Sequence, residues 1–197
     1  PCYVARLYAD YRQHVQLPLQ LRYACAVPSE PALAALAKLA PLVEIGAGSG
    51  FWGALLRSRG VECALFDRSP ANAPAARGSG GESLLFDRSY AAVQPGGPEQ
   101  ASRFPGHTLL LVWPYQAESA SSAWDAEALC AFSGDIVAHV GDLNVSRRPG
   151  RSSRTTTSKA CCRALEAGFE LERRVAVDSW PLSRDQLTIW RRRRSAS

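Results

Sequence analysis

The run Gly46-Ala47-Gly48-Ser49-Gly50 separates two apolar segments and constrains the fold more than any other part of the chain. Ahead of it, Leu42-Val43-Glu44-Ile45 has the length and composition of a short buried strand. Behind it, Phe51, Trp52, Leu55 and Leu56 recur at helical spacing, and Gly60 stops that helix. Val61 to Phe66 is a second strand, ending at Asp67. Strand, tight turn, helix and strand within about 25 residues make a βαβ unit, which implies a parallel sheet.

Glycines in such a turn let a backbone approach a ligand that a Cβ would repel. The turn also feeds a helix amino terminus, where amides and the dipole favour negative charge. Spacing then separates two cofactor classes. A dinucleotide fingerprint, GxGxxG, keeps a third glycine for close helix–strand packing. Here that position is Phe51, and the glycines read GxGxG with Glu44 two residues ahead. Asp67 falls 21 residues after Gly46, where a carboxylate accepts both hydroxyls of a ribose. An adenosine cofactor is expected, with an empty degenerate site or a nicotinamide or flavin as alternatives.

Elsewhere the pattern alternates helix and strand. Tyr3, Leu7 and Tyr11 share one helical face in a peripheral amino-terminal segment. Ser29 caps and Pro31 opens a helix expected to run to about Ala40. Residues 68–106 are rich in Pro, Gly, Ser and Ala, with one short strand at Tyr90 to Val93. Thr108 to Trp113 is a buried strand, Asp125 to Phe132 a helix, and Asp135 to Val140 a strand closed by Gly141. Residues 144–157 read as a polar loop, and Ser158 to Ala167 as a helix stopped by Gly168. Phe169 to Trp180 and Asp185 to Trp190 form a final antiparallel hairpin around Pro181. The expected fold is α/β, Rossmann-like, a mostly parallel sheet with helices on both faces. Residues 1–40 form a helical extension packed on the core, 41–193 the main domain, and 194–197 the end of a basic tail.

Composition narrows the partners. The 197 residues suit one domain, 46% are hydrophobic, and no run approaches the roughly 20 apolar residues of a membrane helix. The chain starts at Pro1 and contains no methionine, which reads as a fragment or processed chain, so that any amino-terminal targeting signal is expected to lie outside it. The net charge of +5 rests on Arg147, Arg148, Arg151 and Arg154 in one loop and Arg191 to Arg194 at the end. Without these eight it would be −3, so nucleic acid is not the expected partner. None of the six cysteines makes a CxxC pair and no histidine clusters with them, so neither zinc nor a disulfide framework is expected. A reducing, cytoplasmic setting fits this cysteine usage.

The stretch Val43-Glu44-Ile45-Gly46-Ala47-Gly48-Ser49-Gly50 resembles motif I of the class I methyltransferases, whose cofactor, S-adenosylmethionine, carries no phosphate. Tyr23 to Glu30, Leu110-Leu111-Val112-Trp113-Pro114-Tyr115, Val140-Gly141-Asp142 and Leu187-Thr188-Ile189-Trp190 extend the resemblance over residues 20–193, to a microbial and algal group of predicted methyltransferases. That resemblance implies a class I methyltransferase fold and S-adenosylmethionine as cofactor. Glu44 would lie near the methionine amino group, and Gly46, Ala47, Gly48 and Gly50 would line the cofactor. Asp67 would hold the ribose, with Trp113 and Pro114 completing the contacts.

Trp113-Pro114-Tyr115 is similar to the Asp/Asn-Pro-Pro-Tyr loop of amine methyltransferases. The residue that accepts from the amine in those enzymes is here Trp113, which donates only. Trp113 and Tyr115 would stack on a flat substrate or a cation, or else pack in the core and fill a lid. His139 is a candidate general base, with a half-buried structural histidine as the alternative reading. No catalytic residue is assigned. The implied function is methyl transfer to a small-molecule or protein acceptor, the alternative an inactive methyltransferase-like scaffold that binds a partner.

Overall fold

The computed structural model describes residues 3–70, 86, 88–114, 123–143 and 156–194. The expected βαβ unit is formed by β1 (Leu42–Ile45), α4 (Phe51–Arg57) and β2 (Cys63–Asp67). The rest comprises α1 (Tyr3–Tyr11), a π-helical turn (Arg12–Gln16), α2 (Leu17–Arg22), α3 (Glu30–Ala37), β3 (Gln94–Pro95), a 3₁₀ segment (Pro98–Arg103), β4 (Thr108–Val112), α5 (Trp124–Ala131), β5 (Ile136–Gly141), α6 (Lys159–Gly168), β6 (Phe169–Ala176) and β7 (Gln186–Arg192).

Seven strands form one sheet in the order β3-β2-β1-β4-β5-β7-β6. β1 pairs in parallel with β2 and β4, and β5 in parallel with β4. β7 runs antiparallel between β5 and β6, which makes the expected hairpin. The order reverses between β1 and β4, and crevices at such switch points beyond the carboxyl ends of strands are where ligands bind in open sheets.

Alternation along the strands builds two cores. Leu42, Leu110 and Ala138 face Leu33 and Leu36 of α3 and Trp52 and Leu56 of α4. Val43, Leu109, Leu111 and Val137 face Ala128 and Leu129 of α5 and Leu165 of α6. Trp52 is fully buried and its indole donates to the Ala26 carbonyl at 3.2 Å. Truncating a ring of this size costs about 3–5 kcal/mol. Ser29 caps α3 and Ser158 caps α6, each hydroxyl accepting an amide of the first turn.

Several boundaries depart from the sequence expectation. α3 ends at Ala37 rather than Ala40: the Leu39 amide closes a tighter turn onto the Leu36 carbonyl, and Pro41 keeps Ala40 itself out of the helical region. Tyr90 to Val93 is not a strand: the Tyr90 amide is spent on the Ser49 carbonyl, and pairing with β2 begins at Gln94. β6 stops at Ala176, four residues short of Trp180, whose indole turns away to the Cys25 carbonyl at 2.7 Å. Thr156 and Thr157, assigned to a polar loop, are buried. The rest of that loop, with Arg147, Arg148, Arg151 and Arg154, lies outside the described residues, as does Tyr115.

Three of the four carboxyl-terminal arginines, Arg191, Arg192 and Arg193, are tied to the fold. Arg191 and Arg192 belong to β7. Arg191 pairs with Glu172 at 3.0 Å, Arg192 donates to the Phe132 and Gly134 carbonyls, and Arg193 to the Phe169 carbonyl. The amino-terminal helices invert the usual pattern: Tyr3, Val4 and Leu7 are exposed while Gln16 and Gln20 are buried, Gln20 donating to the Cys25 carbonyl. Among the described residues no helix is long and apolar enough to cross a membrane.

Candidate cofactor site

The glycine turn leaves β1 at the switch point. Gly46, Gly48 and Gly50 all have positive φ, at 75°, 54° and 72°, a region that favours glycine. A Cβ on Gly46 would stand 2.4 Å from the Trp124 ring, and one on Gly48 2.3 Å from the Phe86 ring. Two aromatic rings therefore reach the backbone where side chains would otherwise stand.

The amides of the turn are largely committed. Gly46 and Ala47 donate to the Phe66 carbonyl at 2.8 and 3.0 Å, and Gly50 to the Ala47 carbonyl at 2.8 Å. Phe51 donates to Ser49 Oγ at 3.3 Å. Gly48 donates to Asp67 Oδ2 at 2.9 Å. An anion-binding loop needs its amides pointing free at the phosphate. This turn presents shape and aromatic surface instead.

Asp67 closes the far wall at the end of β2. Its Oδ1 accepts from the Ser69 amide at 2.8 Å. Each carboxylate oxygen retains a further lone pair. Glu44 sits one strand away with 2% exposure, and its Oε2 has no partner among the described residues. Burial first, and the Asp67 charge second, push its carboxyl up to about 8.

Phe51, in place of the third dinucleotide glycine, belongs to an aromatic trio. Its ring centroid lies 4.9 Å from Tyr90 and 5.3 Å from Tyr23, and those two tyrosines lie 5.7 Å apart. Ser49 ties the turn to both, its carbonyl accepting from the Tyr90 amide and its hydroxyl donating to the Tyr23 carbonyl. The Tyr90 hydroxyl is buried with no partner among the described residues.

At the end of β4, Trp113 adopts φ 47°, a conformation rare for a bulky side chain. Its amide donates to the Val140 carbonyl at 2.7 Å and its indole Nε1 to Asp185 Oδ1 at 3.0 Å. Trp113 is half-buried and Pro114 buried.

His139 is not positioned as a base. It is fully buried in β5, one ring nitrogen lies 2.6 Å from Thr157 Oγ1, and burial lowers its pKa to about 3. It is a neutral core group.

The structure thus brings Gly46, Ala47, Gly48, Gly50 and Asp67 together around one turn, with Glu44 behind it and Trp113 and Pro114 on the neighbouring strand end. Sequence reasoning missed Phe86, Trp124, Tyr90 and Asp185. Nothing in their local sequence marks them, because each arrives by a long-range contact.

No protein-family model matches the chain, and no curated protein is similar to it in sequence. Solved structures do match. The methyltransferase CalO6 is 20% identical with a TM-score of 0.50, covering 92% of this chain and 66% of its own. Magnesium protoporphyrin IX methyltransferase (ChlM) from Synechocystis PCC 6803, solved with bound SAM, is 10% identical with a TM-score of 0.50, covering 95% of this chain and 96% of its own. At these identities the likeness defines the fold: a Rossmann-like class I methyltransferase fold, with a mostly parallel sheet ending in an antiparallel hairpin.

Proposed function

We propose that this protein is an S-adenosylmethionine-dependent methyltransferase of the microbial and algal group its motifs resemble, acting on a small-molecule or protein acceptor. The observation that carries this reading is the pairing of a glycine turn whose amides are largely satisfied internally with the Asp67 carboxylate beside it. Such a site favours a nucleoside without phosphate over a dinucleotide.

In this reading the turn of Gly46, Ala47, Gly48 and Gly50, with the Trp124 and Phe86 rings standing over Gly46 and Gly48, forms one wall of the site, and Asp67 accepts the ribose hydroxyls. Glu44 takes the amino group of the methionine portion, and Trp113 and Pro114 bound its sulfonium side. When bound, the cofactor supplies a methyl group on a positively charged sulfur. The chain's part is to orient that group and to exclude water from it. Both solved neighbours described above are methyltransferases, which supports the assignment.

Titration calorimetry with S-adenosylmethionine, S-adenosylhomocysteine and a nicotinamide dinucleotide tests the reading. The two adenosyl compounds should bind and the dinucleotide should not. Failure of both to bind with a dissociation constant below about 1 mM, some 4 kcal/mol of binding free energy, overturns it.

A further inference from the structure

We infer that Asp185, through its Oδ2, is the group that docks the N–H or O–H of the methyl acceptor, standing in for the carboxylate or amide that amine methyltransferases carry where this chain has Trp113. The inference rests on the methyltransferase reading and goes beyond it to the acceptor side of the site.

Four observations converge. Asp185 is 3% exposed, and one of its carboxylate oxygens accepts from the Trp113 indole at 3.0 Å. The other, Oδ2, makes no hydrogen bond of good geometry among the described residues, although the Ser183 side chain lies near enough to the carboxylate to favour its charged form. A buried carboxylate oxygen left without a donor is costly and calls for a partner. Asp185 precedes β7, whose Gln186 pairs with Gly141 at the carboxyl end of β5. It therefore stands at the ligand-binding edge of the sheet, beside the end of β4 and behind the half-buried Trp113.

Trp113 is held in its unusual backbone conformation by two bonds, from its amide to Val140 and from its indole to Asp185. Strain of this kind persists where surrounding contacts over-determine it, and it concentrates at ligand sites. The tryptophan cannot accept a hydrogen bond, but it fixes in place a carboxylate that can.

The glycine turn and Asp185 are also linked through one short segment. Ser49 of the turn donates to the Tyr23 carbonyl. Two residues on, Cys25 lies close enough to Asp185 that the carboxylate helps burial push its thiol up to about 12. Two residues of backbone span at most about 7 Å, less than the length of an adenosyl cofactor. Burial also holds the Asp185 carboxyl above its usual range, which suits a group meant to accept a hydrogen bond or a proton.

The test uses two probes. Sinefungin is the analogue of S-adenosylhomocysteine with an amine at the place of the transferable methyl, so its ammonium reports on the acceptor side. The unmodified protein should bind sinefungin roughly ten- to a hundredfold more tightly than S-adenosylhomocysteine, through a charge-assisted bond to Oδ2. Asp185→Asn keeps an oxygen for Trp113 but replaces the free acceptor with an NH₂. It should reduce the preference to within about threefold while leaving S-adenosylhomocysteine affinity unchanged. If Asp185→Asn loses its cooperative melt, Asp185→Ser carries the test, because its hydroxyl still accepts from Trp113 but offers no carboxylate, and the preference should fall at least about threefold. A preference that survives in the variant, or an equal loss for both probes, overturns the role of Asp185 alone. No binding of either probe to the unmodified protein overturns the cofactor reading, and this assignment with it. With Asp185 supported, competition of simple primary amines against simple alcohols for the sinefungin-sensitive site separates the two acceptor chemistries.

Discussion

The Gly48 amide donates to Asp67 Oδ2 at 2.9 Å, so the floor of the turn and the end of β2 are held together by one hydrogen bond across the site. In the cofactor reading the same carboxylate carries the ribose. Asp67→Asn retains an oxygen for Gly48 and removes the charge and one acceptor. S-adenosylhomocysteine affinity should fall about tenfold or more, at 1.5–3 kcal/mol for a bond to a charged group, as read by calorimetry. Unchanged affinity would place the ribose elsewhere.

Phe51 gives a prediction about specificity. Phe51→Gly restores the dinucleotide glycine pattern on paper, yet it should confer no affinity for a nicotinamide dinucleotide, because the turn amides remain committed to Phe66, Ala47 and Asp67. Loss of the ring from its trio with Tyr23 and Tyr90 should instead lower stability. Phe51→Ala, half-buried at this position, is expected to cost about 1–3 kcal/mol by urea denaturation.

Two buried titratable groups shape stability against pH. Glu44 is raised from 4.5 to about 8, so between those values the folded chain holds a proton that the unfolded chain releases, and stability falls as pH rises. His139 is lowered from 6.5 to about 3, so between those values the unfolded chain holds the extra proton, and stability falls as pH drops. Their slopes, each near 1.4 kcal/mol per pH unit, cancel where the windows overlap. Together they contribute a plateau from about pH 4.5 to 6.5, with a decline on either side. Glu44→Gln should abolish the alkaline decline and let the acid one begin near pH 6.5 instead of 4.5, because nothing then cancels the His139 slope. Asp67→Asn, which removes part of the push on Glu44, should shorten the alkaline decline. Melting temperatures across the range check this, and a flat profile from 6.5 to 8 in the unmodified protein would contradict the Glu44 contribution.

The βαβ unit was legible because its information is local. Apolar runs of strand and helix length flank glycines, and Gly46, Gly48 and Gly50 do adopt the positive φ that their residue type permits. Ser29 and Ser158 cap the helices they precede, and the last two strands pair as the short Pro181 connection implied. The boundaries that moved did so for long-range reasons. The Tyr90 amide was drawn to Ser49 and the Trp180 indole to Cys25, contacts that no neighbouring residue announces.

What the sequence determined by itself is the sheet's character, the turn and the acid at the end of β2, since periodicity and backbone freedom act over a few residues. Tertiary structure decided what faces that turn. It set the Phe86 and Trp124 rings against Gly48 and Gly46, buried His139 until it was no longer a base, and joined Trp113 to Asp185 across 72 positions of chain. Burial and hydrogen-bond partnership are properties of the packed chain, and these, rather than residue type, determine which carboxylate is left with an oxygen to offer.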